Sequence, residues 1–169
     1  MTIISLNFRQ AAYASETGRV PIALLTITHP DMAETLYISA DPTMRITASS
    51  VGVIYGTVSR GNNYVFLPMT LKLPDDDDAG GGQMTLELDN IGREMTQAIR
   101  AVATPAKVKI EFVMDNALDT VDVLFPEYMI STISYNAATI SMALVVDDLT
   151  REPFPGLMAT PGTTPGIFA

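Results

Sequence analysis

The chain contains no cysteine and no tryptophan, and only one histidine among its 169 residues. Without cysteine there is no disulfide framework, no thiolate nucleophile and no cysteine-containing zinc site, and folding does not depend on an oxidising compartment. A single histidine leaves a zinc hydrolase short of ligands in almost every arrangement. Basic residues are scarce as well: ten Lys and Arg stand against nineteen Asp and Glu, a formal charge of -9. A phosphate-binding face needs clustered Lys and Arg to release counterions, so no specific nucleic-acid binding is expected. At most, DNA is expected to pass nearby, repelled by an acidic surface. Long apolar runs are missing too. The N-terminal MTIISLNFRQAAYASETG has no basic stretch ahead of an apolar core, and the longest uncharged stretch, Tyr128 to Val146, is interrupted throughout by Ser, Thr and Asn. No signal peptide, transmembrane helix or membrane partner is expected.

Hydrophobic residues make up 47% of the chain and charged ones 17%. That is more apolar material and less surface charge than an average globular domain carries, so part of the surface is expected to be buried against partners. The length suits one domain, residues 1–150. It is followed by an arm, 151–169, which is rich in Pro and Gly, fits no periodic pattern and is expected to be extended.

The domain reads as β-dominated α+β. SLNFRQAAYAS, Ser5 to Ser15, has helical spacing after a polar starter and predicts a short N-terminal helix. β-branched and apolar runs follow at short intervals: VPIALLTIT, TLYIS, TMRIT, NYVFLPMTLKL, QMTLELD, KVKIEFVM, TVDVLF, YMISTISY and TISMALVV. One interruption, with Ile91, Met95, Ile99 and Val102 at spacings of four, four and three, predicts a helix from Ile91 to Val102, ended by Pro105. The strands are expected to form an antiparallel sandwich or barrel. In AKVKIEFVM, Val108, Ile110 and Phe112 alternate with Lys107, Lys109 and Glu111, placing one face on a core and the other in solvent or against a polar partner. IALLTI and ISMALVV are apolar on both faces, as suits strands covered by helices or a neighbouring subunit. Core candidates are Leu24, Ile27, Leu71, Leu73, Leu86, Leu88, Ile99, Val108, Ile110, Phe112, Ile130, Ile133, Ile140, Leu144 and Val146.

TLKLPDDDDAGGGQMTLELD, residues 70–89, raises the question of metal binding. Leu71 and Leu73 on one side and Met84, Leu86 and Leu88 on the other alternate with polar residues, the pattern of a β-hairpin with a long acidic loop. Lys72 is expected across from Glu87. Asp75, Asp76, Asp77 and Asp78 are consecutive and flanked by strands. An EF-hand calcium loop needs aspartates at alternate positions and flanking helices, and neighbouring side chains of an extended segment point to opposite sides. No metal ligand is assigned, and the four aspartates are read as an interaction tip. His29, in TITHPD, has no nucleophile and activating partner in view and reads as a turn residue ahead of Pro30. Gly52, Gly56 and Gly61 in GVIYGTVSRGNN fit no phosphate-binding spacing and are expected to serve turns and bulges in a β region. Glu111, Asp122 and Glu127 form no motif that selects them as a paired-carboxylate site. No cofactor and no catalytic residue is expected.

In order along the chain, LPDDDD, LELDNIGREMTQAIRAV, a TP-x-x-V-x-I-x-F strand, DDLTREPFP and the terminal PGIF together resemble the DUF1833 group, a family of tail proteins of long-tailed bacteriophages. The similarity spans nearly the whole chain. Its most specific pieces are the aspartate-rich hairpin joined to the L-D-N start of a helix, and the EPFP and PGIF motifs. The resemblance implies a virion component of the tail tip, made in the host cytoplasm. On that basis the expected function is structural and non-enzymatic: a ring protein of the tail tip or baseplate joining the tail tube to the hub. Its expected partners are copies of itself and neighbouring tail tube, hub or tape-measure proteins. The alternatives are a baseplate hub protein or, in another class, a host-glycan-binding or glycan-cleaving receptor protein. Exposed aromatics for stacking on sugars would mark the latter, yet the chain has no Trp and six Tyr. Phe154, Leu157, Ile167 and Phe168 in the arm are too apolar for a segment that merely floats in water, and are expected to anchor it on its own domain or an adjacent subunit.

Overall fold

The computed structural model describes residues 4–32, 34–48, 52–72, 84–89, 105–125, 127–136, 138–146 and 166. The expected helix from Ile91 to Val102 lies outside them, as do Leu73, Asp75 to Asp78, and Phe154, Leu157, Ile167 and Phe168 of the arm. Among the described residues one helix, α1 (Leu6–Tyr13), precedes eleven strands: β1 (Pro21–Thr28), β2 (Leu36–Ser39), β3 (Met44–Ala48), β4 (Val53–Ser59), β5 (Asn62–Phe66), β6 (Met69–Lys72), β7 (Met84–Asp89), β8 (Lys107–Met114), β9 (Val121–Leu124), β10 (Tyr128–Tyr135) and β11 (Thr139–Val146). They form one curled, open sheet in the order β3-β4-β5-β2-β1-β8-β10-β11-β7-β6, with β9 also paired to β8. The expected β-dominated fold is present.

β8 is the branch point. Along one edge it pairs with β1 over its full length, from Thr28↔Lys107 to Pro21↔Met114. Its other edge is shared: β10 takes the start, at Val108 and Lys107, and β9 takes the far half, from Glu111 to Val113. The sheet therefore forks into two wings. Ala23, Leu25 and Ile27 of β1, Ile38 of β2, and Val108 and Ile110 of β8 pack in one buried cluster with Met84, Leu86 and Leu88 of β7, Tyr128 and Ile130 of β10, and Ile140, Met142 and Leu144 of β11. Side chains alternate across a strand, so the residues between them face the other way. There Ile22 and Leu24, with Tyr64 of β5 and Val113 of β8, make a second, smaller core flanked by Tyr37 and Leu118. That explains why IALLTI is apolar on both faces.

Several local features follow from particular residues. NYVFLPMTLKL is two strands, not one: the chain breaks at Leu67–Pro68 and carries β5 in one wing to β6 at the far edge, since proline removes the ladder donor. β2 and β5 run parallel, the exception in an otherwise antiparallel sheet. In β10 the pairing steps from Ile130↔Leu144 to Thr132↔Ala143. The bulge at Ser131 lets Ile130 and Ile133 both meet the core at a spacing of three. Gly56 of β4 sits where an added Cβ would run into the backbone carbonyl of Tyr64 and within 2.7 Å of the Ile46 side chain. Of the expected core residues, Leu71, Phe112 and Ile133 are half-buried against the main cluster. Val146 is 40% exposed; as the last residue of β11 it lies on the core face of its strand but at the rim. Lys72 stands opposite Thr85 rather than Glu87, which faces Thr70; its Nζ reaches the Glu87 carboxylate diagonally at 3.8 Å.

Candidate functional site

Two gatherings of polar residues lie along β8, β9 and the loop between them; a third, of Ser39, Thr43 and Thr57 hydroxyls, joins β2 to β4. The first begins in the β4–β5 hairpin. Ser59 and Asn62 are paired across a two-residue connection, and Arg60 and Gly61 both have positive φ, 50° and 79°, the type I′ geometry whose twist matches that of the strands. The hairpin tip reaches back over the second core. Ser59 Oγ donates to the Leu118 carbonyl at 2.6 Å, and the Arg60 backbone N–H donates to Asp119 Oδ1 at 2.6 Å. The Arg60 guanidinium then grips Glu111 with both ends, Nη1 to Oε1 at 3.1 Å and Nη2 to Oε2 at 2.6 Å. Lys109 Nζ approaches Glu111 Oε1 at 2.9 Å. Burial pushes the Glu111 carboxyl upward, but hydrogen bonds and charge from Arg60 and Lys109 together outweigh it and hold the group below its ordinary value. Glu111 is thus an ionised, two-cation clamp that fastens one wing across β1 to β8.

The second place is the docking point of α1. Ser5 caps the helix, its Oγ accepting the Phe8 N–H at 3.1 Å. The same hydroxyl donates to Asp122 Oδ1, and the Ser5 N–H donates to the Asp122 carbonyl at 3.2 Å. Asp122 is 2% exposed and is the extra residue where the β8–β9 pairing steps from Phe112↔Val123 to Val113↔Val121. The bulge turns its carboxylate inward, and Oδ2 accepts the Met114 N–H at 3.0 Å. Beyond this latch α1 touches the body lightly: Asn7 Nδ2 donates to Asn116 Oδ1 at 3.4 Å, and no residue of the helix is buried. Beneath it lies a largely apolar cavity of about 200 Å³, lined by Phe8, Ala11 and Ala12 of α1 and by Thr17, Arg19, Pro21 and Met114.

The residues tested for chemistry in the sequence are spread apart in role. Glu111 and Asp122 are each engaged by the partners just given, while Glu127 lies at the surface with Lys107 Nζ 2.8 Å from its Oε2. His29 Nδ1 accepts the Asp31 N–H at 3.0 Å, a turn contact. Among the described residues no group of three or more His, Asp or Glu is placed to hold a metal ion, and no helix is long and apolar enough to cross a membrane. Sequence reasoning missed both fastenings. Their signals were present: Ser-Arg-Gly-Asn between two β runs is a hairpin connection with a cation at its tip, and an aspartate between Val121 and Val123 interrupts a strand where only a bulge accommodates it.

The surface has an apolar strip that these contacts leave open. Met44 of β3 and Val65 of β5 stand in register with Gly56 of β4 and share a face of the sheet with Ile54, each between 39% and 44% exposed, while Val53 and Tyr55 of β4 face the opposite way. Among the described residues β3 is an end strand of the sheet. Fold and contacts together define a β-dominated module whose acids and hydroxyls tie its own elements to one another. Over residues 7–158 the chain matches the family model described as a domain of unknown function, DUF1833, and it belongs to that family. No curated protein matches it.

Proposed function

We propose that this protein is a structural component of a bacteriophage tail tip or baseplate, most simply a ring subunit that joins the tail tube to the hub and contacts copies of itself. The observation that carries the reading is the exposed apolar strip of Met44, Ile54 and Val65 on one face of β3, β4 and β5, at one end of a sheet in which, among the described residues, β3 and β6 at the two ends each pair on one side. Monomeric proteins seldom leave clustered apolar side chains and sheet edges uncovered, whereas a subunit repeated around an axis covers both against its neighbours. The buried polar groups support the same view, because Glu111 and Asp122 are spent on fastening elements rather than held ready for a substrate. A stop codon placed early in this reading frame of the encoding phage tests the proposal. Incomplete tails and loss of infectious particles are expected, restored by supplying the chain in trans. Infectious particles at normal yield without the chain would overturn it.

A further inference from the structure

We propose that α1 is an exchangeable arm: the latch at Asp122 and the cavity beside Met114 accept α1 from a second copy of this chain as well as from their own. Three observations carry this. First, an eight-residue helix with no buried residue is too short to be stable by itself in water, and its hold on the body is concentrated in the Ser5–Asp122 latch and the Asn7–Asn116 contact. Second, its underside is incompletely packed, since the cavity of about 200 Å³ separates Phe8, Ala11 and Ala12 from Pro21 and Met114, while Leu6 and Tyr13 point outward at 70% and 89% exposure. Third, the connection from α1 to β1, residues 14–20, is exposed throughout. Among its described contacts, Asp115 N–H donates to the Val20 carbonyl at 3.1 Å and Arg19 N–H to Thr17 Oγ1 at 3.2 Å. Extended, that connection spans up to about 23 Å, enough to carry α1 to an adjoining copy.

The acceptor surface is identical in every copy, so exchange replaces each contact with the same contact and costs no new complementarity. What decides between the two arrangements is concentration. A short flexible tether keeps the copy's own helix at an effective concentration in the millimolar range, so the intramolecular arrangement prevails in dilute solution. Exchange becomes comparable when copies are crowded to that level or held side by side. The inference concerns this chain's own surfaces and does not depend on where the protein acts.

The cysteine-free background makes the test direct. Asn7→Cys marks α1 and Asn116→Cys marks its acceptor, and a short bis-maleimide joins them. The double variant at micromolar concentration should crosslink within one chain; failure to do so would mean that α1 does not dock at this loop, and the proposal falls. Equal mixtures of the two single variants should give crosslinked pairs at about millimolar concentration and roughly a hundredfold less at about 10 µM. Pairs should form several-fold more readily with Asn116→Cys than with Thr132→Cys, an exposed control on β10, while circular dichroism shows the sheet unchanged. Crosslinking no greater to Asn116→Cys than to Thr132→Cys would overturn the exchange.

Discussion

A carboxylate 3% exposed on a sheet face is costly unless it is paired and its lone pairs are filled. Arg60 and Lys109 meet both conditions for Glu111, and Arg60 does so from an unusual position, with φ of 50° at the tip of a tight hairpin. The two roles of Arg60 separate in one substitution. Arg60→Asn creates Asn-Gly, the favoured type I′ pair, and at the same time removes the bidentate grip. We expect a net loss of about 1–3 kcal/mol in chemical denaturation, because the lost charge-assisted bonds outweigh the better turn; a stabilised variant would show that the clamp contributes little. The same carboxylate sets an acid limit. Its folded-state value lies below the ordinary 4.5, so its contribution is fully present above that value and is lost as pH falls through the folded-state value. Unfolding free energy should decline with acid below about pH 4.5, and Glu111→Gln should flatten part of that decline; an equal slope in both proteins would contradict the assignment. Glu111 and its neighbour Lys109 were visible on the polar side of KVKIEFVM, but the second partner, Arg60, lies 51 residues away, a distance no local pattern spans.

Elements with a clean period were legible, and those shaped by a bulge, a proline or a close approach were not. β7 and β8 follow their alternation, and α1 begins at the polar residue that starts its pattern, because Ser5 caps it. β10 departs from strict alternation only because Ser131 is extra. β4 was obscured by Gly56, a residue that reads as a turn former. Gly56 is there because no Cβ fits against the Tyr64 carbonyl and Ile46. Gly56→Ala should therefore cost about 1–3 kcal/mol, the range for overpacking, with faster amide exchange in β4 and β5 than in β7 and β11; exchange raised equally everywhere would place the strain elsewhere. The β6–β7 hairpin is held by Leu71 opposite Leu86 and Met69 opposite Leu88. Replacing Asp75 to Asp78 by Asn should leave the melting temperature nearly unchanged with or without calcium. A calcium-dependent rise confined to the unmodified protein would instead show that the four aspartates bind the ion.

At the scale of the whole molecule, the chain builds two cores on opposite faces of the β1–β8 pair and ties the smaller one shut with charge. The β-rich class followed from composition and short apolar runs. The fork at β8, which gives the sheet its two wings, did not, because it depends on β9 and β10 sharing one edge of a strand, and pairing partners leave no mark in single-strand periodicity. The surface presents apolar side chains of Met44, Ile54 and Val65 on one face of β3, β4 and β5, end strands, and an N-terminal helix held by a latch. In the proposed function these are the surfaces that neighbouring subunits cover. Electron cryo-microscopy of intact virions, from a phage that encodes this chain, tests that proposal most directly. The account predicts density for this sheet repeated symmetrically around the tail axis at the tip, with Met44, Ile54 and Val65 covered by an adjoining subunit. Virions that lack the chain, or that carry it away from the tail, would contradict it.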